Sequence, residues 1–187
     1  MLKKKERREY AMIRNEVIDS ILSRRSIRSF TDEPVKKEEI ETIVEAGKFA
    51  ASGGGRQPGL MVVTQNAELI AKLEKLNAKY TKNPEGHPFY GANTLIMVFA
   101  DSNSSTWLQD GSLVLGNLME AAHAIGVGSC WINRGFEMFE DEEGKELKKQ
   151  WGIGESFKGV GTCILGYLNG DYPVPKARKE DFVIYLD

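Results

Sequence analysis

Leu95-Ile96-Met97-Val98-Phe99-Ala100 is apolar without a break. A strand with one wet face alternates apolar and polar residues, because successive side chains point to opposite faces. A strand apolar on both faces has to be covered on both. This run therefore predicts a buried central strand, and the rest of the chain must supply the layers above and below it.

Toward the N-terminus, residues 60–64 predict another strand. Leu69, Ile70, Leu73 and Leu76 mark a helix after it, and residues 77–92 read as a polar loop. Val17, Ile18, Ile21 and Leu22 predict a helix over 15–24. A further helix follows Pro34, with Ile40, Ile43, Val44 and Gly47 on one face, ended by Ser52-Gly53-Gly54-Gly55. Toward the C-terminus, a long helix over 107–125 carries Leu115, Leu118, Met119 and Ala122. Residues 129–133 predict a short strand, 142–151 a helix and 159–168 another strand. The tail 182–186 is apolar and extended, with no evident hairpin partner. The sum is an α/β or α+β layer protein with about four strands and a central long helix.

The chain has 187 residues, 41% hydrophobic and 28% charged, which suits a globular domain with a real core. A net charge of −2 argues against a dedicated nucleic-acid binder. Cys130 and Cys163 lie far apart and have no CxxC spacing, so neither a zinc site nor a disulfide scaffold is indicated. No apolar run approaches the roughly 20 residues of a membrane helix. The basic start over 1–11 precedes no apolar signal core, and reads as a charged extension. A soluble cytoplasmic protein is the expectation.

Two cationic segments stand near opposite ends of the chain. Arg24-Arg25-Ser26-Ile27-Arg28 places three guanidiniums and a hydroxyl within five residues. Pro173-Val174-Pro175-Lys176-Ala177-Arg178 places a Lys and an Arg two apart. Guanidinium forks match phosphate oxygens, and Lys adds a point charge. Either segment alone also reads as a solvated loop or helix end. Two glycine-rich stretches lie between them. Residues 52–55 lack the Gly-Lys-Ser/Thr ending of a phosphate-binding P-loop. Gly126-Val127-Gly128 follows a helix and precedes a strand, the reverse of the dinucleotide-binding order. Trp131 after it reads equally as core. His87 and His123 have no nucleophile at motif spacing, and the acidic run 137–146 lacks a calcium pattern and reads as a solvated helix start.

The order and spacing of these four segments resemble the FMN-dependent nitroreductase family over about 12–187. The resemblance implies a three-layer fold, a mostly antiparallel central sheet flanked by helices, with the C-terminal strand exchanged in a homodimer. It implies that Arg24, Ser26 and Arg28 hold FMN, with Arg25 near its phosphate. Ala51, Ser52, Gly53, Gly55 and Gln57 fall in the stretch that resembles the loop packing on flavin across the dimer interface, where Ser52, Gln57 and Pro58 match. There Ala51 replaces a family Pro, Gly55 an Asn and Gly59 a Trp. Trp131, Ile132, Asn133 and Arg134 match the segment whose backbone amides reach the flavin ring. Lys176 and Arg178 match the pair that closes on the phosphate.

The activity implied is electron transfer from NADH or NADPH through flavin N5 to a small electron-poor acceptor, such as a nitroaromatic, a quinone or a free flavin. Donor and acceptor would share one site in a ping-pong order. Alternatives are another redox reaction of the same superfamily, a non-catalytic FMN-binding or redox-sensing dimer, or an unrelated domain binding a phosphorylated ligand.

Overall fold

The computed structural model describes residues 12–179 and 181–186. The charged run 1–11 lies outside the described residues. Helix α1 spans Glu16–Ser23, and its first turn is capped by Asn15, whose side chain accepts from the Ile18 N–H. α2 spans Lys37–Lys48, β1 Gly59–Thr64, α3 Ala67–Ala78 and β2 Thr94–Asp101. α4 spans Trp107–Ala124, β3 Gly128–Ile132, α5 Gly135–Glu140, α6 Glu142–Gln150 and β4 Phe157–Gly166.

The four strands form one sheet in the order β1-β2-β4-β3, antiparallel at every pairing. β2 is central, and Thr94 to Ala100 are all buried. Its alternate residues feed two separate cores. Leu95, Met97 and Phe99 pack with Leu73 and Leu76 of α3 and with Met138 and Phe139 of α5. Ile96, Val98 and Ala100 pack with Ile40 and Ile43 of α2 and with Leu115, Leu118 and Ala122 of α4. Each large side chain so buried contributes about 1.5–3 kcal/mol, so both faces need their helices. This is the expected three-layer arrangement.

Some boundaries differ from expectation. α2 ends at Lys48 rather than at the glycines. The Phe49 N–H turns back to Ala46 and the Ala50 N–H to Gly47, which tightens the chain out of α-helix early. The glycines form a separate 3-10 turn over Gly53–Gly55. β4 lies two residues earlier than expected, and Leu168 survives only as an isolated antiparallel bridge to Phe30.

The acidic run is two helices rather than one solvated start. α5 buries Met138 and Phe139, and Asp141 then breaks the chain and caps α6 by accepting from Glu143 N–H. α5 lies very close to β4: a methyl group on Gly159 would meet the Gly135 carbonyl oxygen at 2.1 Å. β4 carries an extra residue here, since its register against β2 slips between Val98 and Phe99.

The tail 182–186 is exposed and in no strand. Among the described residues, no helix is long and apolar enough to cross a membrane.

Candidate functional site

An isolated parallel bridge pairs Ser26 with Ser129, and the Ile27 N–H donates to the Ser129 carbonyl at 2.9 Å. The first cationic segment is thereby laid along β3 in the same direction. Arg24 and Arg25 come to the Gly128 end, and Arg28 comes to the Trp131–Asn133 end. Two segments that are a hundred residues apart in sequence thus form the floor of one site.

At the Gly128 end, Arg25, Ile27, His123, Ser129, Leu168 and Tyr172 help to line a cavity of about 190 Å³. Arg24 Nε pairs with Glu120 Oε1 at 3.2 Å. Arg24 Nη1, Arg25 Nε and Ser129 Oγ are buried and have no hydrogen-bond partner among the described residues. Buried donors are normally satisfied, so the orphans Arg25 Nε and Ser129 Oγ, both on residues that line this cavity, suit an acceptor. Glu120 Oε2 is a buried orphan as well.

Tyr172 closes this end. Its hydroxyl accepts from the Arg25 N–H at 3.0 Å and donates to the Ser23 carbonyl at 3.1 Å. His123 lies between them, with Nε2 at 2.8 Å from Ser23 Oγ and Nδ1 at 3.4 Å from the Tyr172 hydroxyl. Burial holds the His123 pKa below its ordinary value; Glu120 opposes this, while Arg24 and Arg25 reinforce it. Beyond Tyr172 the chain is largely exposed. Lys176 and Arg178 are exposed and make no hydrogen bond or ion pair with the described residues.

At the other end, Arg28 lies over the Tyr90 ring, 5.9 Å from its centroid. Trp131 is half-buried and Ile132 buried, while Asn133 is exposed. Asn77 Nδ2 donates to the Asn133 carbonyl at 2.8 Å, and Arg134 Nε donates to the Tyr80 carbonyl at 2.7 Å. Arg134 has a φ of 74°. A left-handed Arg is costly unless its surroundings over-determine it, and such strain collects at working sites. Among the described residues, the non-glycine positions with positive φ are Gln57, Tyr90 and Arg134.

The loop over 51–57 stands elsewhere. Ser52 Oγ accepts from the Gln57 N–H at 3.0 Å, and Gly53 N–H donates to Asp110 Oδ1 at 2.9 Å. Thr106 Oγ1 donates to the second Asp110 oxygen at 2.8 Å. Asp110 is buried at the start of α4 and pins the loop. Gly55 has a φ of 68° and open space around its Cα, a conformation that Asn tolerates better than other side chains. A separate cavity of about 210 Å³ runs beneath the loop, lined by Ala51, Ser52, Gln57, Gly59 and Asp110 among others.

Asp110, Glu120, His123 and Tyr172 escaped sequence reasoning as site residues. The Thr106–Asp110 spacing on one helix face was a local signal, but nothing local connects Asp110 to Gly53. Tyr172 stands just before the second cationic segment, which marked the region but not its contact.

The fold has known counterparts. Residues 21–167 match the model of the nitroreductase family. A candidate NADH dehydrogenase/NAD(P)H nitroreductase of Archaeoglobus fulgidus is 32% identical over 170 residues, covering 88% of each chain. A nitroreductase of Bacteroides fragilis with bound FMN superposes with a TM-score of 0.85 at 24% identity, covering 93% of this chain and all of that one. A nitroreductase of Desulfitobacterium hafniense with bound FMN gives 0.82 at 25% identity, covering 94% and 100%. The chain belongs to the nitroreductase family.

Proposed function

We propose that this protein is a homodimeric FMN-dependent oxidoreductase that takes electrons from NADH or NADPH and passes them to a small electron-poor acceptor. The observation that carries the reading is the Ser26–Ser129 bridge, which lays the cationic segment along β3. The residues fit the cofactor. Unpartnered donors of Arg24, Arg25 and Ser129 at one end suit a phosphate, and Ser26 supplies a hydroxyl beside them. Arg28 and the segment Trp131 to Arg134 at the other end suit a flavin ring. Lys176 and Arg178 are free to fold over the phosphate. When bound, FMN would supply the redox centre, taking electrons from the nicotinamide and giving them to the acceptor. The chain's own work is to bind it, orient it and exclude water from it.

The two halves of the site sit at opposite ends of α4. Asp110, which holds the glycine loop, and His123, which borders the cationic cavity, are thirteen residues apart on it. At 1.5 Å per residue that is about 20 Å. A second copy with its α4 antiparallel to the first would lay its loop over the first cavity, and the reverse. Leu108 and Leu113 on α4, and Val17, Ile21 and Leu22 on α1, are exposed apolar residues available for that contact. One site serving donor and acceptor in turn would give ping-pong kinetics.

The test is an anaerobic titration of the purified yellow protein. NADH or NADPH should bleach its absorbance, and a quinone or nitroaromatic should restore it. Flavin that stays oxidised with both nucleotides would reduce the protein to an FMN-binding dimer. Colourless protein that takes up no FMN would sink the reading altogether.

A further inference from the structure

The His123 imidazole has no part in the reading above, yet it borders the same cavity as Arg25 and Ser129. The charged and titratable groups that face it are few. Glu120 lies one turn before it on α4; Arg24 and Arg25 come from the segment after α1; the Tyr172 phenol comes from the C-terminal segment. Arg24 and Glu120 are already paired; the Arg25 guanidinium, on the cavity lining, donates through Nη1 to the Leu22 and Arg24 carbonyls and has no acid partner among the described residues. In the neutral tautomer with its proton on Nε2, that proton is donated to Ser23 Oγ, and Ser23 Oγ in turn donates to the Ser20 carbonyl. Nδ1 then accepts from Tyr172 whenever that hydroxyl turns its proton from the Ser23 carbonyl to the ring. A second proton, on Nδ1, would also find an acceptor, because the Tyr172 hydroxyl can turn its own proton to the Ser23 carbonyl at 3.1 Å. Both charge states therefore keep the same hydrogen-bonded frame.

We propose that His123 is a proton-coupled anion-binding residue: it takes up a proton as the cofactor's phosphate enters the cavity and adds a cation to the site. The inference rests on the FMN reading. Without ligand, burial and the two arginines favour the neutral ring. A dianion in the cavity offsets those arginines and favours the imidazolium. The sign follows. Between the pKa of the empty site and the higher pKa of the loaded one, binding consumes a proton. FMN affinity therefore rises as pH falls through that window, by up to about tenfold per pH unit. Riboflavin, which lacks the phosphate, shows no such dependence. The phosphate's own second ionisation near pH 6 acts in the opposite direction, so the window is best observed from pH 7.0 to 8.5.

The chain has two histidines, His87 and His123, so their ring proton resonances can be followed separately, with His87→Asn for assignment. The full-length protein would be titrated by NMR empty, with riboflavin and with FMN. The expected result is a His123 pKa that rises with FMN and not with riboflavin. In parallel, dissociation constants for FMN would be taken from flavin fluorescence quenching at pH 7.0 and 8.5 for the native protein and His123→Gln. The native protein should bind FMN several-fold tighter at pH 7.0, and the variant should show no difference. Bound FMN with an unmoved His123 resonance overturns the proposal, as does a pH dependence that persists in His123→Gln. Proton uptake measured by calorimetry in two buffers of different ionisation enthalpy repeats the test on the unmutated chain. Failure of FMN to bind at any pH overturns the flavoprotein reading and this proposal with it.

Discussion

Arg24 shows how a single residue can be legible in its type and illegible in its state. Its place in a cationic motif was plain from the sequence. Its partner Glu120, almost a hundred residues on, was not, because only tertiary packing brings α4 to the exit of α1. The pairing changes what a substitution should do. Arg24→Ala removes a charged donor and also leaves the half-buried Glu120 carboxylate uncompensated beside an anion site. Flavin affinity should fall by about one to two orders of magnitude. Arg24→Ala with Glu120→Gln should recover part of that loss, because the stranded charge is gone. Equal losses in the single and double variants, measured by fluorescence quenching, would show that Glu120 does not bear on the cofactor. The same limit applies to Asp110: its link to Gly53 spans 57 residues and has no local signature. Asp110→Ala should cost about 1–3 kcal/mol by orphaning the Gly53 N–H, or about 2–4 °C of Tm for each kcal/mol.

Elements were legible where periodicity was unambiguous. β2 is apolar on both faces and is buried on both, and α4 carries Leu115, Leu118 and Ala122 at helical spacing. α5 was missed because only Phe136, Met138 and Phe139 mark it, inside a run of acids. Its burial depends on Gly135 and Gly159 approaching each other, a contact that no window of sequence contains. The join between β4 and α2 carries a pH dependence. Just past β4, Tyr167 donates its hydroxyl proton to Glu39 of α2, and that carboxylate also accepts from the Lys36 N–H. The hydrogen bond to Glu39 pushes the Tyr167 pKa up to about 12, with burial and the Glu39 charge adding to it. A group raised in the folded state stabilises it below its unfolded value of about 10 and loses that contribution as pH rises toward 12. Native stability should therefore drop between pH 10 and 12 by more than that of Tyr167→Phe. Urea melts at pH 9 and 11.5 measure the difference, and identical drops would mean that this contact is not the cause.

For the molecule as a whole, the proposed homodimer would give both the cationic cavity and the exposed tail a partner. Phe182, Ile184, Tyr185 and Leu186 are mostly solvent-exposed, which a lone chain has no reason to maintain. Deleting residues 182–187 should weaken dimerisation and flavin retention together. Sedimentation of the truncated protein as a fully flavin-loaded dimer would show that the tail serves neither. The sequence suggested an unpaired apolar tail, but an unpaired edge says nothing by itself of what covers it, and the single chain leaves it uncovered.

The separation of Asp110 from His123 along α4 has a genetic consequence. If each site combines one chain's cationic end with the other chain's loop, two defective alleles can repair one another. A subunit carrying Arg24→Ala paired with a subunit carrying Asp110→Ala gathers both lesions into one site and leaves the other site wholly wild-type. Co-expressing the two at equal levels should return native flavin affinity to about a quarter of the sites, whereas neither parent alone has a site free of lesions. Complementation of this kind would be impossible if each chain built its site alone.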